Sequence, residues 1–240
     1  MNDLMHFLTF AGKRSIDFGV RISGEGIYNR PKRKSNTVDV AGRSGQLILD
    51  EDAFENIDVT YPAFIVDDMP ERLEDFANYM ASFKGYQRIE NTYEPDTYRL
   101  GQFNTDITVK TSGYMNRMGE FDLVFNCKPQ RFLKSGELPI VFNAAGNIWN
   151  RTNFDTQPFI RVHGTGAGTV GVGDYLITIS SIDEYVDIDC EIMDAYKGSL
   201  NCNQNVSFNA DSFKIPAGVS GVNFSGDITS VEITPRYYII

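Results

Sequence analysis

Residues 119–132 read GEFDLVFNCKPQRF. Phe121, Leu123 and Phe125 alternate with Asp122, Val124 and Asn126. A period of two marks a strand with one strongly apolar face. Cys127 and Lys128 lead into Pro129. A proline has no N–H to give a ladder, so the strand is expected to stop there. Roughly 130 residues precede this point and roughly 110 follow it, a length that suits two ordinary domains. The segment therefore reads as the closing strand of a first domain, residues 1–134, and the exit into a second, residues 135–240.

Upstream, Leu4–Phe10, Ile16–Ile22, Ile57–Val66, Tyr86–Ile89, Tyr98–Phe103 and Ile107–Met115 are short strand candidates joined by Gly, Asn and Asp turns. Pro62 marks the Ile57–Val66 strand as an edge or a bulged one. Gly42 and Gly45 in Ala41-Gly42-Arg43-Ser44-Gly45 suggest a turn with positive φ, after which a strand resumes at Gln46-Leu47-Ile48-Leu49. The first domain holds one helix, over about residues 70–84. Asp67 or Asp68 can cap it, Pro70 fits its first turn, and Gly85 suits its C-terminal end. Leu73, Phe76, Ala77, Met80 and Phe83 form an apolar stripe that packs on the sheet. The expected class is mainly β: an α+β first domain built around a barrel or sandwich.

Downstream, Leu138–Phe142, Phe159–His163, Tyr175–Ile179, Tyr185–Ile192, Val206–Phe208, Phe213–Ile215, Val222–Phe224 and Ile228–Ile233 are further short strands. With no helical period among them, they predict a β-sandwich or barrel. Net charge is −10, divided as −3 over residues 1–134 and −7 over residues 135–240. That balance argues against nucleic-acid binding, which replaces phosphate counterions with cations, and against anionic lipid. The N-terminal segment has no basic stretch before an apolar core and does not read as a signal peptide. No apolar run is long enough to span a membrane. Cys127, Cys190 and Cys202 read as reduced thiols, with a Cys190–Cys202 pairing left open.

Several motifs invite chemistry. Gly166-Ala167-Gly168-Thr169-Val170-Gly171 matches GxGxxG, with Asp187 downstream. A strand-like Asp174–Ile179 follows where a pyrophosphate-binding helix is required, so a glycine hairpin is the better reading. Asp187, Asp189 and Glu191 alternate with apolar residues, which places three carboxylates on one strand face roughly 7 Å apart. Such a row is a weak cation site, an acid pair for glycoside hydrolysis or, most simply, the solvated face of a half-buried strand. His6 and His163 lack partners at metal-ligand spacing, and no GxSxG elbow occurs. No catalytic, cofactor or metal residue is assigned.

The order of Phe10-Ala11-Gly12-Lys13, Ser15-Ile16-Asp17-Phe18-Gly19-Val20, Ala41-Gly42-Arg43-Ser44-Gly45 and Phe125-Asn126-Cys127-Lys128-Pro129 resembles the N-terminal domain of the distal tail proteins (Dit) of long-tailed, non-contractile phages of Gram-positive bacteria. Asp189-Cys190-Glu191, Asn201–Asn205, Phe213–Gly218, Val222–Gly226 and Ile233–Tyr238 resemble the C-terminal domain of the same family. Tyr237-Tyr238 stands where an aromatic residue, often Trp, is usual. The resemblance covers essentially the whole chain. It implies a virion protein of the tail tip, made in the host bacterial cytoplasm. Six copies form a ring through the N-terminal domains around a channel for DNA. The major tail tube protein lies above; a tail-associated lysin or fibre and receptor-binding proteins lie below. The C-terminal domain is implied to be a galectin-like β-sandwich.

A closed ring needs two different complementary faces on each subunit. The basic Lys32-Arg33-Lys34 and the acidic Asp50-Glu51-Asp52 are candidates for that contact, and the channel wall is expected to be neutral or acidic. A saccharide-binding module using Trp149, Tyr175, Tyr185 and Tyr196 as stacking platforms is the alternative function, with a hydrolase built on the carboxylate row third.

Overall fold

The structure, a computed structural model, describes residues 6–24, 28–66, 68–103, 106–112 and 117–240. It divides into two compact units at Arg131/Phe132. The first runs through β1 (Leu8–Phe10), β2 (Lys13–Arg14), β3 (Val20–Ile22), β4 (Arg33–Asp39), β5 (Gln46–Phe54) and β6 (Ile57–Ile65). Helix α1 (Met69–Ala81) follows, then β7 (Gln87–Asn91), β8 (Thr97–Phe103), β9 (Lys110–Ser112) and β10 (Met118–Leu133). The main sheet has the order β2-β1-β7-β8-β10-β6-β3, with β9 also on β10. The expected strand ends at Leu4 and Met115, and the alternative cap Asp67, lie outside the described residues.

Alternation along β10 and β6 decides the core. Phe121, Leu123 and Phe125 stand opposite Ala63, Tyr61 and Val59, and all six are buried. Phe125 gathers the rings, with centroids at 5.4 Å to Phe10, 5.9 Å to Tyr61 and 5.6 Å to Phe103. Helix α1 buries Met69, Phe76 and Met80 in the same cluster, and Leu73 and Phe83 pack against it. This is the stripe read from the sequence.

Both prolines sit differently from expectation. β10 does not stop at Pro129 but continues to Leu133. Its pairing with β6 has already ended at Cys127↔Ile57, so on that side Pro129 has no ladder bond to lose. Pro62 lies in β6, which is neither an edge strand nor bulged against β10. The Pro62 carbonyl accepts from the Ser23 N–H at 2.8 Å, so residue 62 points its backbone toward β3, past the last β3 pair at Ile22↔Ala63. The missing N–H therefore falls beyond the end of the ladder.

The helix ends also differ. Asp68 precedes α1 in the left-handed conformation and makes no capping hydrogen bond. Its carboxylate accepts instead from Arg117 at 3.3 Å. Ser82 closes the last turn, its N–H and Oγ both donating to the Tyr79 carbonyl, before the chain reaches Gly85.

The second unit contains β11 (Ile140–Phe142), β12 (Gly146–Asn150), β13 (Phe159–Val172), β14 (Tyr175–Asp189), β15 (Asp194–Lys197), β16 (Leu200–Asn201), β17 (Val206–Phe208), β18 (Gly218–Thr234) and β19 (Tyr238–Ile239). The first eight form one sheet of order β11-β18-β13-β14-β15-β16, with β12 on β18 and β17 on β14. Several expected short strands are halves of long ones. Tyr175–Ile179 and the first part of Tyr185–Ile192, as far as Asp189, fuse into β14, and Val222–Phe224 and Ile228–Ile233 fuse into β18. Phe213–Ile215 forms only a bridge between Ile215 and Thr156. Ile160 and Val162 from one end of β13, and Val170 and Val172 from the other, enter a single buried cluster. The sheet therefore folds over its own core.

The fold-over occurs at the glycines. Gly166–Gly171 lies inside β13 and opens no helix, which removes the nucleotide reading. The register of β13 shifts against both neighbours between Gly164 and Gly168. A Cβ on Gly164 would come within 2.4 Å of the Asp227 carbonyl oxygen, and one on Gly168 within 2.4 Å of that of Ser225. These glycines admit a close approach of β18 at a bulge, rather than a flexible turn.

Candidate assembly surface

β4 and β5 form a two-stranded ribbon that, among the described residues, pairs with no other strand and contributes to neither core. The turn joining them has the predicted backbone, with φ of 78° at Gly42 and 83° at Gly45, and the Arg43 N–H donates to the Val40 carbonyl. Val38 stands opposite Leu47, and Asn36 opposite Leu49, so Val38, Leu47 and Leu49 share one face. Ile48 lies on the other face and is 67% exposed. An isolated two-stranded ribbon is marginally stable in water. Among the described residues both outer backbone edges of this one are unpaired, the arrangement by which strands recruit another chain.

The structure brings the two charged runs together inside this ribbon. Arg33 Nε donates to Asp50 Oδ2, and Arg33 Nη2 to Asp52 Oδ1 at 2.9 Å. The hydrogen bond from Arg33 holds the Asp50 carboxyl below its ordinary pKa. Asn36 Nδ2 donates to Glu51 Oε1 at 2.8 Å. Lys32 and Lys34 are exposed and make no ion pair among the described residues. The apolar residues of the ribbon were not singled out from sequence. Their alternation was visible in Gln46–Leu49, but nothing in the chain announces that a strand will lack a sheet.

A second feature of the first unit is a cleft of about 290 Å³ lined by residues of β6, β9 and β10, among them Phe64, Lys110, Glu120 and Asp122. Its floor is the outward face of the sheet, and Glu120 and Asp122 give it an acidic side.

In the second unit the carboxylate row is neutralised. Arg161 donates from Nε and Nη2 to both oxygens of Asp187, at 2.6 and 2.8 Å. The Asp187 hydrogen bond is the main cause that pushes the Arg161 pKa up. Arg236 grips Asp189 in the same two-pronged manner at 2.7 and 2.8 Å. Burial works to raise the Asp189 pKa, but the hydrogen bonds and charge of Arg236 outweigh it and the net shift is downward. Glu191 has left the strand for a turn, where Arg236 Nη1 reaches it at 3.5 Å. The two-pronged arginine pairs occupy both oxygens of Asp187 and both oxygens of Asp189, so neither carboxylate is free to serve glycoside hydrolysis. No group of three or more potential metal ligands stands together among the described residues.

The aromatic platforms are dispersed or covered. Tyr175 packs on the core with its ring 5.9 Å from that of Phe213. Tyr185 carries Arg161 at 4.8 Å and Lys197 at 5.3 Å from its ring centre. Trp149 is 55% exposed, with Arg151 over its ring at 4.2 Å. Tyr196 lines a shallow cleft with Asp194, Gly198, Ser199 and Asn201. The histidines are structural: His6 contacts Thr92 Oγ1 at 3.1 Å and stacks on Tyr93, and His163 contacts Glu232 at 2.9 Å. All three cysteines are unpaired. No helix among the described residues is long and apolar enough to cross a membrane.

No protein-family model and no curated protein matches the chain. Solved structures do. The SPP1 Dit (gp 19.1) protein, described as a paradigm of the hub adsorption apparatus in phages infecting Gram-positive bacteria, matches with a TM-score of 0.77 at 13% identity. The match covers 98% of this chain and 99% of that one. A chain of the phage p2 baseplate in its activated conformation with Sr matches with a TM-score of 0.50 at 14% identity, over 95% of this chain and 97% of that one. This chain thus has the Dit fold from end to end.

Proposed function

We propose that the protein is a distal tail protein, the structural hub of a long non-contractile phage tail tip, and that it works by assembly rather than catalysis. The observation that carries this reading is the β4–β5 ribbon, an exposed apolar element with open edges and no core of its own. The fold shared with the SPP1 hub protein over the full chain supports it.

Six copies close into a ring through the first unit, around a channel that DNA passes without specific binding. The ribbon of one copy seats on the next. Arg33, Asp50 and Asp52 hold the ribbon's shape, while Lys32 and Lys34 are free to meet acidic groups of the neighbour, for which Glu120 and Asp122 in the cleft are suited. The contact is heterologous, so rotation rather than a two-fold axis closes it. The tail tube protein lies on one side of the ring, and a lysin or fibre with receptor-binding proteins on the other. Native mass measurement of the purified protein tests the ring: six-fold stoichiometry is expected, and a monomer at every concentration overturns it.

A further inference from the structure

The first unit buries a guanidinium whose donors find no hydrogen-bond partner among the described residues. Arg99, in β8, is 3% exposed, and its Nε, Nη1 and Nη2 are all buried without a hydrogen-bond partner among the described residues. A guanidinium carries five N–H donors and keeps its proton in any protein environment.

Its surroundings do not supply the missing charge. Arg131 is 6% exposed and close enough to repel Arg99. Arg131 Nη1 is committed to Glu94 Oε1, and Arg131 Nε is a further buried donor without a partner. Burial pushes the Tyr61 hydroxyl up and the Cys127 thiol up to about 12, so both are neutral at physiological pH. One carboxylate, Glu94, therefore faces two guanidinium groups. Burying a charge is tolerable only when it is paired and its donors are satisfied.

We propose that Arg99 and Arg131 hold a small inorganic anion of the chloride class inside the first unit. The site is too deep for a carboxylate of another protein, since Arg99 is almost wholly covered. The adjacent wall is closed: a Cβ on Gly101 would lie 2.7 Å from both Cys127 Sγ and Ile89 Cδ1. That packing favours a monatomic occupant over a phosphate. A spherical anion also accepts from donors in any direction, so it sets no condition on how the two guanidinium groups are aimed. The anion stabilises the folded form by binding it and not the unfolded chain. This inference is independent of the tail-hub reading.

The test is thermal unfolding of the full chain while sodium chloride replaces sodium gluconate at constant ionic strength. The expected result is a saturable rise in Tm of roughly 5 °C, reproduced by bromide. Arg99→Met is expected to lose this dependence and, in gluconate, to melt no lower than the parent. A flat parent response, or an identical response in the variant, overturns the proposal and marks any effect as an adventitious ion only. If Arg99→Met does not fold, chlorine-35 line broadening by the parent, relieved by added bromide, takes its place. Broadening no greater than that of a protein of equal size lacking such a site overturns it equally.

Discussion

Val38 and Leu47 stand directly opposite one another across the β4–β5 ladder, and 44% and 40% of their surfaces remain exposed. A cross-strand apolar pair normally marks the inner face of a sheet. Here no second layer among the described residues covers it. If the proposed ring forms through this face, Leu47→Asp with Leu49→Asp is expected to abolish the six-fold species and leave a folded monomer. Sizing with light scattering reads the mass. The monomer's stability should change by no more than about 0.5 kcal/mol, as for surface substitutions that touch no core.

Charge reversal of Lys32 and Lys34 tests the electrostatic part of the proposed contact. The ring should weaken in moderate salt, while the parent ring keeps its mass. Reversing Arg33 should do more, because it also removes the clamp on Asp50 and Asp52. Unchanged mass in all three variants would remove these residues from the interface.

Phe125 joins rings from β1, β6 and β8 in the first core. Phe125→Ala should cost about 3–5 kcal/mol, the range for emptying a buried aromatic site. Urea unfolding of the first unit reads this as a lower midpoint with an unchanged slope.

Gly164 and Gly198 separate two uses of glycine. Gly198 has a φ of 61° with open space around it, so Gly198→Ala should cost only about 1 kcal/mol of backbone strain. At Gly164 the new methyl would meet the Asp227 carbonyl oxygen at 2.4 Å. Gly164→Ala should cost at least about 3 kcal/mol, because the β13–β18 bulge must open. Equal melting temperatures for the two variants would contradict this account.

Asp189 has a pKa below its ordinary value when folded. Its contribution is therefore fully present above the unfolded carboxylate pKa of about 3.9 and is lost as pH falls through the folded value. Asp189→Asn should cost about 1–3 kcal/mol at pH 7, since it leaves the partly buried Arg236 with only its longer contact to Glu191 as counter-charge. The gap between parent and variant should hold from pH 7 to pH 5 and close below about pH 4. Denaturant unfolding across that range checks the sign.

Much of this architecture was legible in residue order. The apolar alternation of Phe121–Phe125, the stripe of α1 and the positive-φ turn at Gly42 and Gly45 are local signals, and each appears where it was read. The proline at residue 129 misled because a missing N–H breaks a ladder only when a partner strand lies on that side. The carboxylates at 187 and 189 looked free because Arg161 and Arg236 are far away in sequence or on another strand.

By itself the sequence determined the helix, most of the extended segments and the inward face of β10, because side-chain periodicity and turn chemistry act over a few residues. Only the tertiary structure decided that Arg33 meets Asp50 within one ribbon, that the ribbon joins no other sheet among the described residues, and that Arg99 is buried in the same unit as Arg131. Those outcomes depend on which strands become neighbours, and pairing between distant segments is settled by the packing of the whole unit.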